Sequence, residues 1–282
     1  MTAAQSRLST KAPPSLPALL ARGEVLVMGV LNVTPDSFFD GGLFVERDAA
    51  VAQVRRMIGE GAAIIDVGAE STRPYGGMQP ISGKEEIARL EPVLADVAAV
   101  GTPVSIDTMK VEVARFALKN GATMMNDVWG LQREPAMAEV AAEHGVPIII
   151  MHNRSAADPT IDIMKDIGAF FERSLAIAAS AGIRNDNIIL DPGIGFGKVA
   201  AQSLTVLARL SELATFGYPL LVGASRKRFI ASISPSEPHE RLGGSIAAHV
   251  IAAQNGARII RTHDVAETIQ ALQISSAIGT SR

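Results

Sequence analysis

Eight short runs of apolar and β-branched residues recur along the chain: Val25–Val30, Ala63–Val67, Pro103–Asp107, Thr123–Asp127, Pro147–His152, Asn187–Asp191, Tyr218–Val222 and Arg258–Thr262. Each is too short for a helix and too evenly apolar for a strand with one wet face, so they predict strands buried on both sides. The longer segments between them carry helical spacing. Ala49, Ala52, Val54, Met57 and Ile58 approximate one apolar stripe, and Ile87, Leu90, Val93, Leu94 and Val97 another. A glycine stands just ahead of seven of the runs, at Gly61, Gly101, Gly121, Gly145, Gly182, Gly217 and Gly256. Lacking a Cβ, glycine takes the left-handed conformation that ends a helix. Gly23 precedes the first run without a clear helix before it.

Eight strand–helix units with short returns and longer outgoing loops predict an α/β protein built as a single (β/α)8 barrel of the TIM type. The barrel domain is expected over 23–282, with a flexible arm over 1–22. That arm carries Arg7, Lys11 and Arg22 but no acid. The same bias fits an organellar transit segment, though a disordered arm is the simpler reading. An open doubly wound sheet is the structural competitor. It fails because the turn after the first strand, Leu31-Asn32-Val33-Thr34-Pro35-Asp36, has no glycine-rich dinucleotide fingerprint. Gly193-Ile194-Gly195-Phe196-Gly197-Lys198 superficially suggests a phosphate loop. Pro192 stands where that motif needs its first glycine, and Val199 where it needs a Ser or Thr for magnesium.

Composition narrows the function classes. With 48% hydrophobic residues among 282 the chain can bury a large core, and only 4% aromatics suits helices packed on a β-branched sheet. A net charge of −3, with Arg226-Lys227-Arg228 as the longest basic cluster, leaves no broad basic face for nucleic acid. No run approaches the length of a membrane span. The absence of cysteine removes disulfides, thiolate metal sites and cysteine nucleophiles, and is compatible with a cytoplasmic setting.

In such a barrel, polar side chains at the C-terminal strand ends read as chemistry. Here they are Asn32, Asp66, Asp107, Asn126-Asp127, His152, Asp191, Ser225-Arg226-Lys227-Arg228 and Arg261-Thr262-His263, with Glu70-Ser71-Thr72-Arg73-Pro74 after the second strand. Singly, each has a dull explanation: Asp107 could only cap the next helix, and His152 could be a satisfied structural histidine. His144, His239 and His249 lack metal-ligand spacing, and Trp129 reads as packing. The set falls into two groups. Asp107, Asn126 and Asp191 offer deep acceptors, costly unless they meet donors such as an amino-substituted ring. Arg73, Lys227, Arg261 and His263, with Asn32, suit a diphosphate.

These stretches resemble the dihydropteroate synthase family of pterin-binding barrels. The likeness runs through Asn32-Val33-Thr34-Pro35-Asp36-Ser37-Phe38 with Asp40-Gly41-Gly42, then Glu70–Pro74, Ser105-Ile106-Asp107-Thr108 and Asn126-Asp127. It continues through Asp191–Lys198, Ser225-Arg226-Lys227 and Arg261-Thr262-His263-Asp264. The resemblance implies a transferase of folate biosynthesis and a target of sulfonamides. Such an enzyme joins 4-aminobenzoate to 6-hydroxymethyl-7,8-dihydropterin diphosphate, giving dihydropteroate and diphosphate. By likeness, Asp107, Asn126, Asp191 and Lys227 hold the pterin, and Asn32, Thr72, Arg73, Arg261 and His263 the diphosphate with Mg²⁺, for which Asn32 is the metal ligand. Arg73, Lys227, Arg261 and His263 carry the chemistry. Phe38, Thr72, Pro74 and Phe196 line the aminobenzoate pocket, with Asp40 beside them. The resemblance also implies a homodimer, formed through outer helices such as Ser245–Ala253. Arg228, Phe39 and residues 152–160 depart from the family's commoner pattern. The first two loops, with Gly41-Gly42 and Gly76-Gly77, read equally as lids or as linkers. A pterin-dependent methyltransferase and a non-catalytic pterin binder are the competing functions; the first has no use for a diphosphate site.

Overall fold

A computed structural model describes residues 13–34, 42–70 and 80–281. Eight parallel strands close into a barrel in sequence order: β1 (Leu26–Asn32), β2 (Ile64–Gly68), β3 (Val104–Asp107), β4 (Met124–Asp127), β5 (Ile148–Met151), β6 (Ile188–Asp191), β7 (Leu220–Val222) and β8 (Ala257–Thr262). The ring shuts where β1 pairs with β8, Met28 facing Arg261. The outer layer comprises α2 (Gly42–Gly59), α3 (Gly83–Leu90), α4 (Leu94–Ala98), α5 (Val111–Lys119) and α6 (Ala136–His144). It continues with α7 (Ile163–Ser180), α8 (Ala200–Ala208), α9 (Arg228–Ala231), α10 (Leu242–Gln254) and α11 (Val265–Thr280). The seven helix-ending glycines all have positive φ, from 62° to 108°.

Strand alternation sorts the core into two shells. Val27, Ile65, Ile106, Met125, Ile150, Leu190 and Ile260 face outward into the cluster shared with the helices. Met28, Ile64, Met124, Ile149, Ile189, Leu221 and Ile259 face inward as a separate apolar cluster. Two residues further along β2, β4, β6 and β8 the inward positions change character. Asp66, Asn126, Asp191 and Arg261 stand directly above Ile64, Met124, Ile189 and Ile259, and Ser105 and Asp107 are the inward residues of β3. The barrel is therefore oil at its base and polar toward its C-terminal mouth.

The expected arm over 1–22 is corrected at its C-terminal half. Leu16–Leu20 form a short helix, α1, with Ser15 capping it by accepting the Ala18 N–H at 3.4 Å and a proline in its first turn. Leu16 and Leu19, 2% and 1% exposed, join the inward cluster. Arg258 donates to the Leu20 carbonyl at 2.9 Å and fixes the helix to β8. An open barrel end would leave that cluster wet, and α1 covers it. Residues 1–12 lie outside the described residues.

Candidate active site

The inward polar layer is organised around Arg261. Its Nε donates to Asp66 Oδ2 at 2.6 Å and one Nη to Asp107 Oδ2 at 2.9 Å. Asn126 Nδ2 donates to the same Asp66 oxygen at 3.1 Å. One guanidinium fork thus holds two carboxylates from β2 and β3, a geometry suited to arginine and not to lysine. The second oxygens, Asp66 Oδ1, Asp107 Oδ1 and Asn126 Oδ1, are buried and accept no hydrogen bond from any described residue, and Ser105 Oγ beside them is likewise unpartnered. Burial pushes the Asp107 carboxyl up to about 7, against the pull of Arg261 and with the help of Asp66. Asp191 is also raised by burial, opposed by Lys227 and by the Gly193 N–H that donates to it at 2.7 Å.

The loop after β7 delivers the cations. Arg226 takes a left-handed backbone conformation, φ 57°, uncommon for a residue with a Cβ. It is held there by its N–H donating to Ser245 Oγ at 2.8 Å and by an ion pair with Asp264. The flanking side chains then turn to the mouth. Lys227 donates to the Ile194 carbonyl and its Nζ lies 4.6 Å from the centre of the Phe196 ring. Burial lowers Lys227 to about 8 although Asp191 opposes the shift. Ser225 Oγ lies 2.9 Å from His263 Nδ1 and accepts the His263 N–H at 3.2 Å, tying the ends of β7 and β8 together.

Lys198 is the reason Gly193–Lys198 is not a phosphate loop. Only 2% exposed, it turns inward, 2.6 Å from His152 Nδ1, and donates to the carbonyls of Gly193 at 2.9 Å and Phe196 at 3.1 Å. His152 Nε2 lies 3.0 Å from Asp166, so a neutral ring that gives its one N–H to Asp166 accepts from the lysine. Burial, with Lys198 beside it, lowers His152 to about 3, and burial lowers Lys198 to about 7. The loops after β5 and β6 are packed so tightly that a Cβ at Gly193 would stand 2.0 Å from the His152 carbonyl oxygen. This network shapes the loop carrying Phe196 and the Lys227 acceptor.

Asn32 ends β1, and Asp107, Asn126, Asp191, Lys227, Arg261, His263 and Phe196 gather at one end of the barrel, as expected from the sequence. Phe38, Asp40, Thr72, Arg73 and Pro74 lie outside the described residues. Among the described residues, no three His, Cys, Asp or Glu side chains gather as a metal cluster.

A family of pterin-binding enzymes matches residues 28–263, from β1 to the end of β8. A dihydropteroate synthase of Bacillus subtilis is 44% identical over 93% of this chain and 91% of its own. The chain belongs to the dihydropteroate synthase family. A dihydropteroate synthase from Clostridium difficile, solved in the presence of pteroic acid, superposes with a TM-score of 0.87 at 45% identity, covering 90% of this chain and 97% of that one. The Xanthomonas albilineans dihydropteroate synthase, solved with 4-aminobenzoic acid, gives 0.86 at 42% identity over 91% and 93%. For a member of this family, the residue sequence reasoning left without a role is Asp66. It ends β2 visibly enough, but its value lies in sharing Arg261, 195 positions away. The available signal was alternation: Ile64 and Asp66 face the same side of the strand, so a carboxylate follows oil into the barrel.

Proposed function

We propose that this protein is a dihydropteroate synthase of folate biosynthesis. It transfers the dihydropterin methylene from diphosphate to the amino nitrogen of 4-aminobenzoate. The observation that carries this reading is the row of unpartnered oxygens on Asp66, Asp107 and Asn126 beneath the Arg261 fork. Buried acceptors of this kind are costly alone and are satisfied by a planar ring with adjacent N–H groups. Asp107, Asn126, Asp191 and Lys227 are the pterin contacts. Lys227 faces Asp191 and takes part in positioning the ring, and Phe196, already covered by its ammonium, forms an apolar wall for the second substrate.

The electron-rich ring stabilises a cationic methylene as the C–O bond to diphosphate breaks. Arg261, through the Nη left over from its two carboxylates, and His263 stabilise the charge that develops on the leaving oxygens, with Arg73 and Thr72 assigned the same work. Asn32 offers a neutral amide oxygen. With no carboxylate cluster among the described residues, that suits Mg²⁺, which keeps most of its waters, is held largely by phosphate oxygens and, when bound, neutralises diphosphate charge. The amino nitrogen of 4-aminobenzoate is uncharged at neutral pH and attacks without a strong general base. The lone pair forms the new C–N bond and its proton passes to solvent. Phe38, Thr72 and Pro74 belong with Phe196 in the aminobenzoate site.

The test is diphosphate release by the purified protein with both substrates and Mg²⁺. Release that requires 4-aminobenzoate, and that a sulfonamide suppresses by competing with it, is the expected result. Ring binding without release would leave a pterin-binding paralogue, and methyl transfer in its place a methyltransferase. A methyltransferase has no use for the cations facing the acceptors, and diphosphate release separates the enzyme from a paralogue that only binds.

We also infer a homodimer in the cytoplasm. Ile274 and Ile278 on α11, 59% and 60% exposed, line a cavity of about 550 Å³ together with Leu242, Ile246 and Val250 of α10. A second copy is the partner that an apolar strip on a folded enzyme most simply fits. Light scattering should give twice the chain mass of 29.6 kDa, and Ile274→Glu should return it to one chain. A cysteine-free sequence without a membrane-crossing helix among the described residues is in keeping with the compartment, which cell fractionation checks.

A further inference from the structure

A second cavity, of about 500 Å³, lies beside the mouth, between the loops after β4 and β5 and the first turns of α7. Its walls include Trp129, Arg133, Arg154, Asp166, Phe170 and Arg173, none of which is assigned to either substrate above. Three guanidinium groups therefore meet one carboxylate. That carboxylate is already committed, Oδ1 to Arg154 at 2.8 Å and Oδ2 to His152 at 3.0 Å. Arg133 and Arg173 have no ion-pair partner among the described residues.

Both are nevertheless held in place. Arg133 lies 5.4 Å from the Trp129 ring centre and donates to the Met109 sulfur, a weak acceptor. Arg173 lies 5.9 Å from the Phe170 ring centre, and its Nε donates to Gln132 Oε1 at 3.2 Å. Gln132 is itself anchored, its amide donating to the Phe170 carbonyl and to Ser174 Oγ. The cavity thus presents guanidinium groups over aromatic rings, with an excess of positive charge. Guanidinium planes stack with flat rings and bind anionic oxygens bidentately. The volume falls within the range of small-molecule sites.

We propose that this cavity is a binding site for a planar aromatic anion of mononucleotide size, separate from the catalytic mouth. Trp129 is the single tryptophan of the chain, so its emission reports on this cavity directly. The experiment is a titration of the full-length protein with adenosine monophosphate, exciting at the red edge of the indole band where adenine does not absorb. A saturable change with half-saturation on the order of 10⁻⁴ M is expected, with adenosine and inorganic phosphate each about tenfold weaker. The double variant Arg133→Glu, Arg173→Glu should lose the response by at least about tenfold while turning over substrates like the wild type, which shows that it is folded. Four results would overturn the proposal: no saturable change; equal binding of inorganic phosphate, which marks a site for charge alone; an unaltered response in the double variant; or competition by the nucleotide against dihydropterin diphosphate in the diphosphate-release assay, which places it in the mouth.

Discussion

Arg261→Ala is expected to lower kcat/KM for dihydropterin diphosphate by on the order of 10²-fold or more and to cost the fold about 3–5 kcal/mol at neutral pH. Both effects come from the same atoms. The fork is shared by Asp66 and Asp107, so its removal strands two carboxylates in the interior of the barrel. It also removes a cation proposed above to stabilise the departing diphosphate. Arg261→Lys restores charge without the fork and should recover part of the stability but little of the rate. Diphosphate release and urea unfolding of the same preparations decide the matter. Near wild-type turnover in the alanine variant would mean that the leaving group is stabilised elsewhere.

Asp107→Asn should separate function from stability. The amide keeps one acceptor but places an N–H against the N–H groups of the ring, so catalytic efficiency should fall on the order of 10²-fold. Stability responds differently. The folded pKa of about 7 lies above the ordinary 3.8, so the native state binds this proton more tightly than the unfolded chain does. Between those two values the wild type loses stability as pH rises, and above about 7 the loss is complete. The asparagine variant has no such titration. Its unfolding free energy should gain on that of the wild type as pH climbs through this interval, read from parallel denaturation series. For the wild type, the acceptor form is the ionised one, so KM for the pterin substrate should rise as pH falls below about 7. A variant whose pH–stability curve parallels that of the wild type would show that Asp107 is not the group that titrates.

The barrel was legible because its signals are local. Eight β-branched runs and the glycines ahead of them report strand length and helix ending from a few neighbouring residues. The structure sets each strand end within two residues of the sequence reading. Polar residues at strand ends were legible for the same reason. What stayed hidden was non-local. The sharing of Arg261 between Asp66 and Asp107 joins three strands, and only the barrel register brings them together. The inward turn of Lys198 depends on His152, 46 positions away, so the sequence could rule out a phosphate loop but not say what the lysine does. α1 was missed because Ser15 and Pro17, which start it, are also what a disordered arm contains, and because its five residues are too few to show helical period.

The filled base of the barrel has a kinetic meaning. Met28, Ile64, Met124, Ile149, Ile189, Leu221 and Ile259 pack the interior below the polar layer, with Leu16 and Leu19 beneath them, so among the described residues the polar layer is reached from the C-terminal mouth. Whatever sits lowest must enter first and leave last. With the pterin held as proposed, by partners on β2, β3 and β4 that lie deepest, the ring is expected to be seated before the aryl amine arrives. The joined product is then expected to depart through the same mouth, after diphosphate has cleared the rim.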